Sequence, residues 1–414
     1  MVFRFLYDCG VAIYGLVIGL ASVGNSKARD FIEGRKQWQS KLPNVSQNVI
    51  WLHCASLGEY EQIVPILEHI RTQFPDIFIA LTFFSPSGYK ARKNTSLANW
   101  VGYLPLDTSR NARYFIHKLN PCCAIFVKYE LWYHFLSICN HKNIPLFLVG
   151  GRLHTKYWGL TWGKYWFQPI INFFRKVYTL DTSSSLLFNT LLPKEKIILA
   201  GDTRYDRVMA LKSSRKLIQK IIDFTQNTPT IVAGSVWQPD IILLLEALKA
   251  INCKVIWIPH EPNSEIVRYI KQKTNGITLT EWEQRSDGPQ TGHLIIDRIG
   301  LLSSIYSVAW VAWVGGAFGS GLHNILEPLS LGIPTAFGTK IKKFPEAIEA
   351  SSQNIAKPCQ TASDFVSFAN PIITNSSIRN QYQLKIQQFM EEHTGSTQVI
   401  WDDLSNEIRE LVTK

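Results

Sequence analysis

Short apolar segments alternate with helix-like segments along almost the whole chain. A strand that is buried on both faces appears in a sequence as a short, nearly continuous apolar run. Two series of such runs occur, with helical segments such as 61–72, 109–119 and 132–141 between them. The first series is 49–52, 77–84, 100–106, 123–127, 145–151, 176–180 and 196–201, and the second is 230–235, 254–260, 293–297, 310–316 and 333–338. This alternation predicts an α/β protein whose parallel sheets are covered by helices on both faces.

A polar, lysine-rich stretch at 203–228 separates the two series. The 414 residues also exceed the usual length of one domain. We therefore expect two Rossmann-like domains, over 25–204 and 205–414, and leave open whether the last helix crosses back to the first domain. In such folds ligands bind at the carboxyl ends of the strands, and two domains that face each other form a cleft.

Composition narrows the class of protein and of partner. Hydrophobic residues make up 46% of the chain, which excludes a disordered protein. Lys and Arg number 43 against 32 Asp and Glu, so the net charge of +11 indicates an anionic partner such as nucleic acid, acidic lipid or a phosphorylated substrate. The basic residues are scattered and form no motif typical of nucleic-acid recognition. The seven cysteines show no C-x-x-C spacing, which argues against a disulfide framework and a zinc site.

The N-terminal segment is apolar, and residues 9–23 carry no charged side chain. This uncharged run is shorter than the roughly 20 residues of a spanning helix. A cleaved signal peptide, a spanning anchor, a helix in the membrane surface and a core helix all compete as interpretations. The cysteine usage argues against export, and the basic residues that follow indicate the cytoplasmic side. They are Lys27, Arg29, Arg35 and Lys36. We expect residues 1–24 to form a membrane anchor or an interfacial helix.

The segment HCASLGEYEQ (53–62) directly follows the first predicted strand. Its small residues and Gly58 allow a tight turn, which would place Glu59 at or near the N-terminus of a helix. A helix N-terminus stabilises a carboxylate anion, and a general base must be deprotonated at neutral pH. Glu59 is therefore a candidate general base. The alternative is a carboxylate that caps an ordinary first helical turn.

A glycine-rich segment, WVGGAFGSGLHNILEPLSLGIPTAFG (313–338), follows a strand of the second series. Glycines allow backbone N–H groups to approach a phosphate, and a helix N-terminus adds positive potential. His323 and Asn324 open the predicted helix, and Glu327 lies one turn further, where it can accept from ribose hydroxyls. The pattern indicates nucleotide binding, although ordinary turns also use glycine.

Several motifs together resemble those of a known enzyme family. S-L-G-E (56–59) in the first half is combined with H-N-x-L-E-P-L-x-x-G-I-P (323–334) in the second. Their order and spacing are similar to those of the 3-deoxy-D-manno-octulosonic acid (Kdo) transferases of lipopolysaccharide biosynthesis, across nearly the whole chain. Further matching segments are YLPLD (103–107), YELW (129–132), GGRL (150–153), GDTRYD (201–206), AGS (233–235) and WVGGAF (313–318).

The resemblance implies a GT-B glycosyltransferase, with two Rossmann-like domains facing across a cleft and an N-terminal membrane-associated helix at the cytoplasmic face of the inner membrane. It would move Kdo from CMP-Kdo to a glucosamine hydroxyl of a lipid A precursor, with inversion. Family knowledge places the base on Glu59. The implied donor site is Ser235, His260, Gly315, Gly316, His323, Asn324 and Glu327, and the implied acceptor or sugar site is Ser56, Gly58, Glu130, Arg152 and Arg204. No cofactor, metal or nucleic acid is expected, because basic groups and a helix N-terminus can stabilise the departing CMP.

Four positions depart from the family pattern. His260 stands where the P-R-H-P motif of the family has arginine, and Arg204 stands where lysine is common. Lys128 replaces an acidic residue, and Leu301 replaces a glutamate. His260 could take over part of the arginine's role, with a charge that depends on its surroundings.

Three other functions agree less well with the sequence. A different GT-B transferase acting on a nucleotide sugar and a lipid acceptor would share the fold. A basic nucleic-acid-binding protein would explain the positive charge but lacks a recognition motif. An NAD-dependent oxidoreductase is disfavoured because no G-x-G-x-x-G follows 49–52.

Overall fold

The computed structural model describes residues 2–153, 167–211, 219–285, 291–319 and 321–413. The chain divides into two compact units. Unit 1 comprises Met1–Arg207 and Thr394–Lys414, and unit 2 comprises Val208–His393. Each contains one seven-stranded sheet, and all strand pairings among the described residues are parallel. The predicted pair of parallel-sheet α/β domains is confirmed.

Both sheets reverse their strand order once. The strands of unit 1 are β1 (Val49–Cys54), β2 (Phe78–Phe83), β3 (Trp100–Tyr103), β4 (Cys123–Val127), β5 (Leu146–Gly151), β6 (Lys176–Thr179) and β7 (Ile197–Leu199). Those of unit 2 are β8 (Thr230–Val236), β9 (Lys254–Pro259), β10 (Ile277–Thr278), β11 (His293–Ile295), β12 (Val311–Val314), β13 (Thr335–Phe337) and β14 (Ala356–Pro358). The orders are β3-β2-β1-β4-β5-β6-β7 and β10-β11-β9-β8-β12-β13-β14. The reversals between β1 and β4, and between β8 and β12, create the crevices in which such sheets bind ligands.

Helices connect these strands in each unit. Unit 1 contains α1 (Val2–Ala21), α2 (Ser26–Gly34), α3 (Leu57–Gln73), α4 (Pro86–Arg92), α5 (Ser109–Leu119), α6 (Tyr133–His141), α7 (Thr182–Asn189) and α18 (Ser396–Val412), and α8 (Thr203–Leu211) runs across the unit boundary. Unit 2 contains α9 (Gln219–Thr225), α10 (Gln238–Ala247), α11 (Ser264–Thr274), α12 (Leu279–Glu283), α13 (Leu302–Ile305), α14 (Leu326–Leu329), α15 (Pro345–Ser352), α16 (Ala362–Thr374) and α17 (Ser376–Glu392). Short 3₁₀ helices lie at Trp38–Lys41, Lys194–Lys196 and Tyr306–Val308.

Two strands of unit 2 were not predicted from the sequence. β10 has two residues and β14 has three, and both lie at the edges of their sheet. Strands this short do not produce the apolar run by which a buried strand is recognised. α3 also begins at Leu57, whereas the predicted helix begins at 61, because residues of its first turn belong to the motif that follows β1.

The core of unit 1 surrounds β1, all six residues of which are buried. On one face, Trp51 packs with Phe115, Phe126 and Phe135, and its indole N–H donates to Thr82 Oγ1 at 2.9 Å. On the other face, α3 packs together with α18. Burial of these aromatic and aliphatic side chains holds β1 in a defined position in the sheet.

The carboxyl-terminal segment belongs to unit 1 and is held there by hydrogen bonds. Asp206 accepts 2.6 Å bonds from the backbone N–H groups of Gly395 and Thr397 and from the Thr397 hydroxyl. The Tyr178 hydroxyl donates to Asp403 at 2.8 Å. The last helix therefore completes the apolar environment of α3.

α1 contacts the rest of unit 1 on one side only. Tyr7 donates its hydroxyl to Asp107 Oδ2 at 2.5 Å, and Asp8 Oδ1 lies 2.5 Å from His134 Nε2. The opposite side exposes apolar residues, among them Leu16 at 64% and Leu20 at 69%. Among the helices of the described residues, only α1 is long and apolar enough to cross a membrane, over Phe3–Ala21, and none of that window is buried. This exposure argues against a core helix.

Asp107 organises the packing of α1 and α6, which gives the first prediction. Besides Tyr7, it accepts 3.1 Å bonds from the backbone N–H groups of His134 and Phe135 in the first turn of α6. Asp107→Ala leaves these buried donors unpaired and should lower the free energy of unfolding of unit 1 by about 2–4 kcal/mol. Urea unfolding followed by tryptophan fluorescence measures this change. Asp107→Asn, which retains an acceptor oxygen, should cost less, and Asp76→Ala at an exposed position should cost under about 0.5 kcal/mol. Equal losses in all three variants would contradict this role.

Candidate active site

The end of β1 and the start of α3 position Glu59. Ser56 is the N-cap of α3 with φ −137° and ψ 171°, and Glu59 occupies the third helical position. Glu59 Oε2 accepts from the backbone N–H groups of Ala55 at 2.5 Å and Ser56 at 3.2 Å. An added Cβ at Gly58 meets no atom within 4 Å, so open space lies beside this residue rather than a turn that only glycine can form. The motif therefore builds a cap and leaves room next to the carboxylate.

Glu59 is 5% exposed, and its pKa is raised to about 7. Burial is the largest cause, and the negative charge of Glu130 is the second. The charge of Lys128 and the N–H groups of Ala55 and Ser56 act in the opposite direction but do not prevail. The sequence predicted that the helix end stabilises the anion. That contribution is present, but desolvation and a neighbouring carboxylate outweigh it.

Glu130 follows β4 and accepts from one indole donor. Its Oε2 accepts from Trp132 Nε1 at 2.7 Å and lies 3.4 Å from His53 Nε2. His53 is fully buried at the end of β1, with Nδ1 2.9 Å from Thr82 Oγ1. His53 Nε2 accepts from Trp132 Nε1 at 3.2 Å, so one indole N–H is shared between His53 and Glu130. His53 was not assigned to the site from the sequence. Its position at the end of the strand that precedes Glu59 was the available signal.

Cationic side chains surround the two carboxylates. Lys128, the residue after β4, adopts φ 64°, a left-handed conformation that is unfavourable for a residue with a side chain. Its charge lowers the pKa of Glu59. Lys128 replaces the acidic residue of the family pattern, so in this chain a cation offsets the carboxylate pair.

The predicted acceptor-side residues converge around Tyr129. Burial raises the pKa of this phenol, Glu59 and Glu130 raise it further, and Arg152 and Arg204 lower it. All four charged groups therefore lie within electrostatic reach of Tyr129.

The two arginines have acidic partners. Arg152 Nε lies 3.9 Å from Asp181 Oδ2, and Arg204 binds Asp202 through Nε at 2.9 Å and Nη2 at 2.7 Å. Burial alone would raise the pKa of Asp202, but Arg204 holds it below its ordinary value. Asp202 fixes the guanidinium group of Arg204, whereas Arg152 makes a longer ion pair without a hydrogen bond to Asp181.

In unit 2 the predicted donor residues lie in the last residues of β8 or follow β9 and β12. Ser235 adopts φ 51° where the register between β8 and β9 shifts. A Cβ at Gly315 would lie 2.3 Å from the carbonyl oxygen of Ser235. Gly316 adopts φ 96°, and its Cβ would lie 2.2 Å from the carbonyl oxygen of Gly321. Both glycines are therefore required by the close approach of backbone segments.

The glycine-rich loop is largely closed by its own hydrogen bonds. The N–H groups of Gly319 and Gly321 donate to Gly316 O at 3.1 and 3.0 Å, and that of His323 donates to Gly315 O at 3.2 Å. The Gly316 N–H donates to Asp240 Oδ2 at 3.1 Å. These groups were expected to face a phosphate, but in this structure they bond to protein acceptors.

His323 belongs to a stack of three rings. Its Nε2 accepts from Trp237 Nε1 at 3.0 Å. The His260 ring lies 4.2 Å from His323 and 4.8 Å from Trp237 between centroids. Burial, followed by the positive charge of His260, lowers the pKa of His323 to about 4, and burial also lowers that of His260. His260 thus occupies the arginine position of the family pattern as a neutral aromatic ring at pH 7.

Asn324 and Glu327 lie together at the start of α14. Asn324 Nδ2 donates to Glu327 Oε1 at 3.3 Å, and Asn324 Oδ1 accepts from the Leu326 N–H at 3.1 Å. α14 has only four residues, so the predicted helix is shorter than expected and its dipole is small. Among the described residues there is no group of three or more His, Cys, Asp or Glu that could hold a metal ion.

Comparison with known proteins agrees with these observations. A family model described as 3-deoxy-D-manno-octulosonic-acid transferase (Kdo transferase) matches residues 31–207. A 3-deoxy-D-manno-octulosonic acid transferase of Chlamydophila psittaci is 26% identical over 98% of this chain and 96% of its own length. The enzyme of the same name from Haemophilus influenzae is 24% identical, over 93% of each chain. The resemblance to the Kdo transferases is confirmed. The match to the family model lies within unit 1, and the chain is a glycosyltransferase.

Solved structures support the fold class. A UDP-N-acetylglucosamine 2-epimerase covers 83% of this chain and 91% of its own with a TM-score of 0.55 at 10% identity. The 2-epimerase of Methanocaldococcus jannaschii covers 80% and 93% with a TM-score of 0.52 at 12% identity. At these identities the likeness concerns the fold alone. The predicted GT-B class is confirmed.

The pKa of Glu59 gives the second prediction. Glu130→Gln removes the like charge, so the pKa of Glu59 should fall below about 7 but stay above its ordinary value, because burial remains. Carboxyl carbon NMR of protein labelled in glutamate measures this pKa. Glu68→Gln is the control on the same helix, since Glu68 pairs with Arg207 at 2.9 Å. An unchanged Glu59 pKa in Glu130→Gln would contradict the coupling between the two carboxylates.

Proposed function

We propose that this glycosyltransferase moves Kdo from CMP-Kdo to a glucosamine hydroxyl of a lipid A precursor, with inversion and with Glu59 as the general base. The observation that carries the proposal is the buried Glu59 carboxyl at the start of α3, whose pKa of about 7 suits proton abstraction at neutral pH. Two relatives that are named Kdo transferases match this chain over nearly their entire length, which supports the substrate class.

The reaction requires one proton transfer and one displacement. The Glu59 carboxylate takes the proton of the acceptor hydroxyl while that oxygen forms a bond to the anomeric carbon of Kdo. The bond between this carbon and the phosphate oxygen breaks, and CMP leaves with the bonding electrons. Attack opposite the departing phosphate inverts the configuration, and one base is sufficient for this chemistry.

Unit 1 supplies cations that suit an anionic acceptor and a carboxylated sugar. Lys128 lies near Glu59, and Arg152 and Arg204 pair with Asp181 and Asp202. Fixed guanidinium groups bind phosphate and carboxylate oxygens in defined directions. Ser56 and Gly58 border the open space beside Glu59 and are assigned to the same side of the reaction.

Unit 2 supplies the donor site in this proposal. Ser235, His260 and His323 lie at the ends of β8, β9 and β12, and Asn324 and Glu327 offer amide and carboxylate groups to ribose hydroxyls. Gly315 and Gly316 allow the strand ends to approach one another closely. We propose that the donor binds without a metal ion or other cofactor.

The activity gives the third prediction. Purified full-length protein in detergent should transfer Kdo from CMP-Kdo to a tetra-acylated lipid A precursor, and its rate should rise with pH through about 7 because the base must be ionised. Glu59→Gln should lower kcat by about 10²–10⁴-fold with CMP binding retained, whereas Glu68→Gln should leave kcat unchanged.

Two outcomes would contradict this proposal. Transfer from another nucleotide sugar, with none from CMP-Kdo, would favour a different GT-B reaction. Near-normal turnover by Glu59→Gln would remove Glu59 from the chemistry.

We further propose that α1 binds the cytoplasmic face of the inner membrane. Tyr7 and Asp8 are engaged by unit 1, so the apolar side with Ile13, Leu16 and Leu20 is available to lipid. The basic residues that follow, Lys27 and Arg29 among them, would contact anionic headgroups.

Membrane binding gives the fourth prediction. Leu16→Glu with Leu20→Glu should release the protein from vesicles of phosphatidylethanolamine and phosphatidylglycerol, because charged side chains do not enter the apolar layer. Vesicle flotation measures the bound fraction. Leu384→Glu is the matched control, since Leu384 in unit 2 is exposed to 69%, the same fraction as Leu20. Equal flotation of both variants and the unchanged protein would show that lipid contacts lie elsewhere.

A further inference from the structure

Trp237 is a member of the ring stack that the proposed reaction does not use. It follows β8 directly, caps α10 with φ −110° and ψ 170°, and its backbone N–H donates to Asp240 Oδ2 at 2.9 Å. Its ring lines a cavity of about 200 Å³ together with Gly316 and Phe318. The side chain is therefore fixed at the crevice where the sheet of unit 2 reverses its order.

The bond from Trp237 to His323 determines where the imidazole carries its proton. An indole N–H is a donor only, so Nε2 of His323, which receives it at 3.0 Å, must offer a lone pair. The proton of the neutral ring then resides on Nδ1. Protonation of Nε2 would bring two N–H groups face to face, so this contact disfavours the imidazolium.

His260 holds this arrangement in place. Its ring packs against His323 at an interplanar angle of 22° and against Trp237 at 29°, and the rings of Trp237 and His323 lie within 9° of parallel. The stack prevents the imidazole of His323 from turning away from the indole. Within the described part of the chain, no hydrogen bond joins Nδ1 of His323 to another residue.

We propose that Trp237 is a positioning residue that holds His323 as the neutral Nδ1–H tautomer, so that His323 offers the donor phosphate a hydrogen bond rather than a positive charge. This inference rests on the donor site of the proposed function. A neutral donor binds a phosphate less tightly than an imidazolium and does not change its strength with pH between 5.5 and 8. Affinity for CMP, the product, is thereby kept low.

The tautomer is measured directly in the full-length protein by ¹⁵N NMR of labelled histidine, with His323→Gln used to assign the signals. The unchanged protein should show a protonated Nδ1, an unprotonated Nε2 and no titration between pH 5.5 and 8. Trp237→Phe keeps an aromatic ring but removes the indole N–H, so the pKa of His323 should rise from about 4, although burial and His260 still hold it below its ordinary value. A protonated Nε2 in the unchanged protein would overturn the inference.

Binding of CMP and of cytidine tests the role toward the phosphate. In Trp237→Phe, CMP affinity should increase by about twofold or more from pH 8 to pH 5.5, since His323 gains charge towards the lower pH, whereas the unchanged protein should vary less than about twofold from this cause. Cytidine, which lacks the phosphate, should bind both proteins alike. A variant whose CMP affinity has the same pH profile as the unchanged protein would contradict the role of Trp237.

A second tryptophan–histidine pair in unit 2 provides the control. Trp257 Nε1 donates to His293 Nδ1 at 3.2 Å, away from the stack. Trp257→Phe should alter the His293 signals and leave the pH profile of CMP binding unchanged, and a parallel change in that profile would contradict a local role for Trp237. If the unchanged protein binds no CMP at any pH, the donor assignment of the proposed function fails, while the tautomer and titration of His323 still decide whether Trp237 positions it.

Discussion

Unit 1 holds two carboxylates, Glu59 and Glu130, near each other where water has little access. Two like charges in a poorly solvated site repel each other by several kcal/mol unless one takes up a proton or a cation compensates. This chain uses both solutions, because the pKa of Glu59 rises to about 7 and Lys128 lies nearby in a left-handed conformation. Since Glu59 has a higher pKa folded than unfolded, its protonated form favours folding. That contribution is lost as the pH rises from about 4.5, its ordinary value, through 7.

The fold keeps this unfavourable site in place by surrounding it with rigid elements. β1 pairs with β4 in parallel register, so the residues after both strands emerge at the same edge of the sheet. α3, which carries Glu59, packs against α18 from the carboxyl end of the chain, and Asp206 fixes the start of that helix. Apolar packing far from the carboxylates thus supports a strained arrangement, as is typical of functional sites.

The sequence allowed the two parallel sheets and the position of Glu59 to be predicted, because long apolar strands and the S-L-G-E motif are local signals. It did not give the pKa of Glu59, since burial and Glu130 depend on the packing of distant segments. The glycine-rich loop was recognised, but the partners of its N–H groups were not, because they follow from Asp240 and from backbone contacts within the loop. His53 and Trp237 were missed for the same reason. Their roles come from the residues they face.

Tryptophan has a chemical use in this protein beyond packing. The indole N–H donates and never accepts, so it favours whichever protonation state of its neighbour has a free lone pair. Toward a carboxyl group either protonation state offers an oxygen lone pair, as for Trp132 with Glu130 and Trp313 with Asp240. Toward an imidazole the favoured state is the neutral ring, as for Trp237 with His323. One residue type thus donates to a carboxyl group beside Glu59 in unit 1 and disfavours positive charge in the ring stack of unit 2. Charge in the proposed donor half-site is therefore set by hydrogen-bond direction as well as by the number of acidic and basic residues.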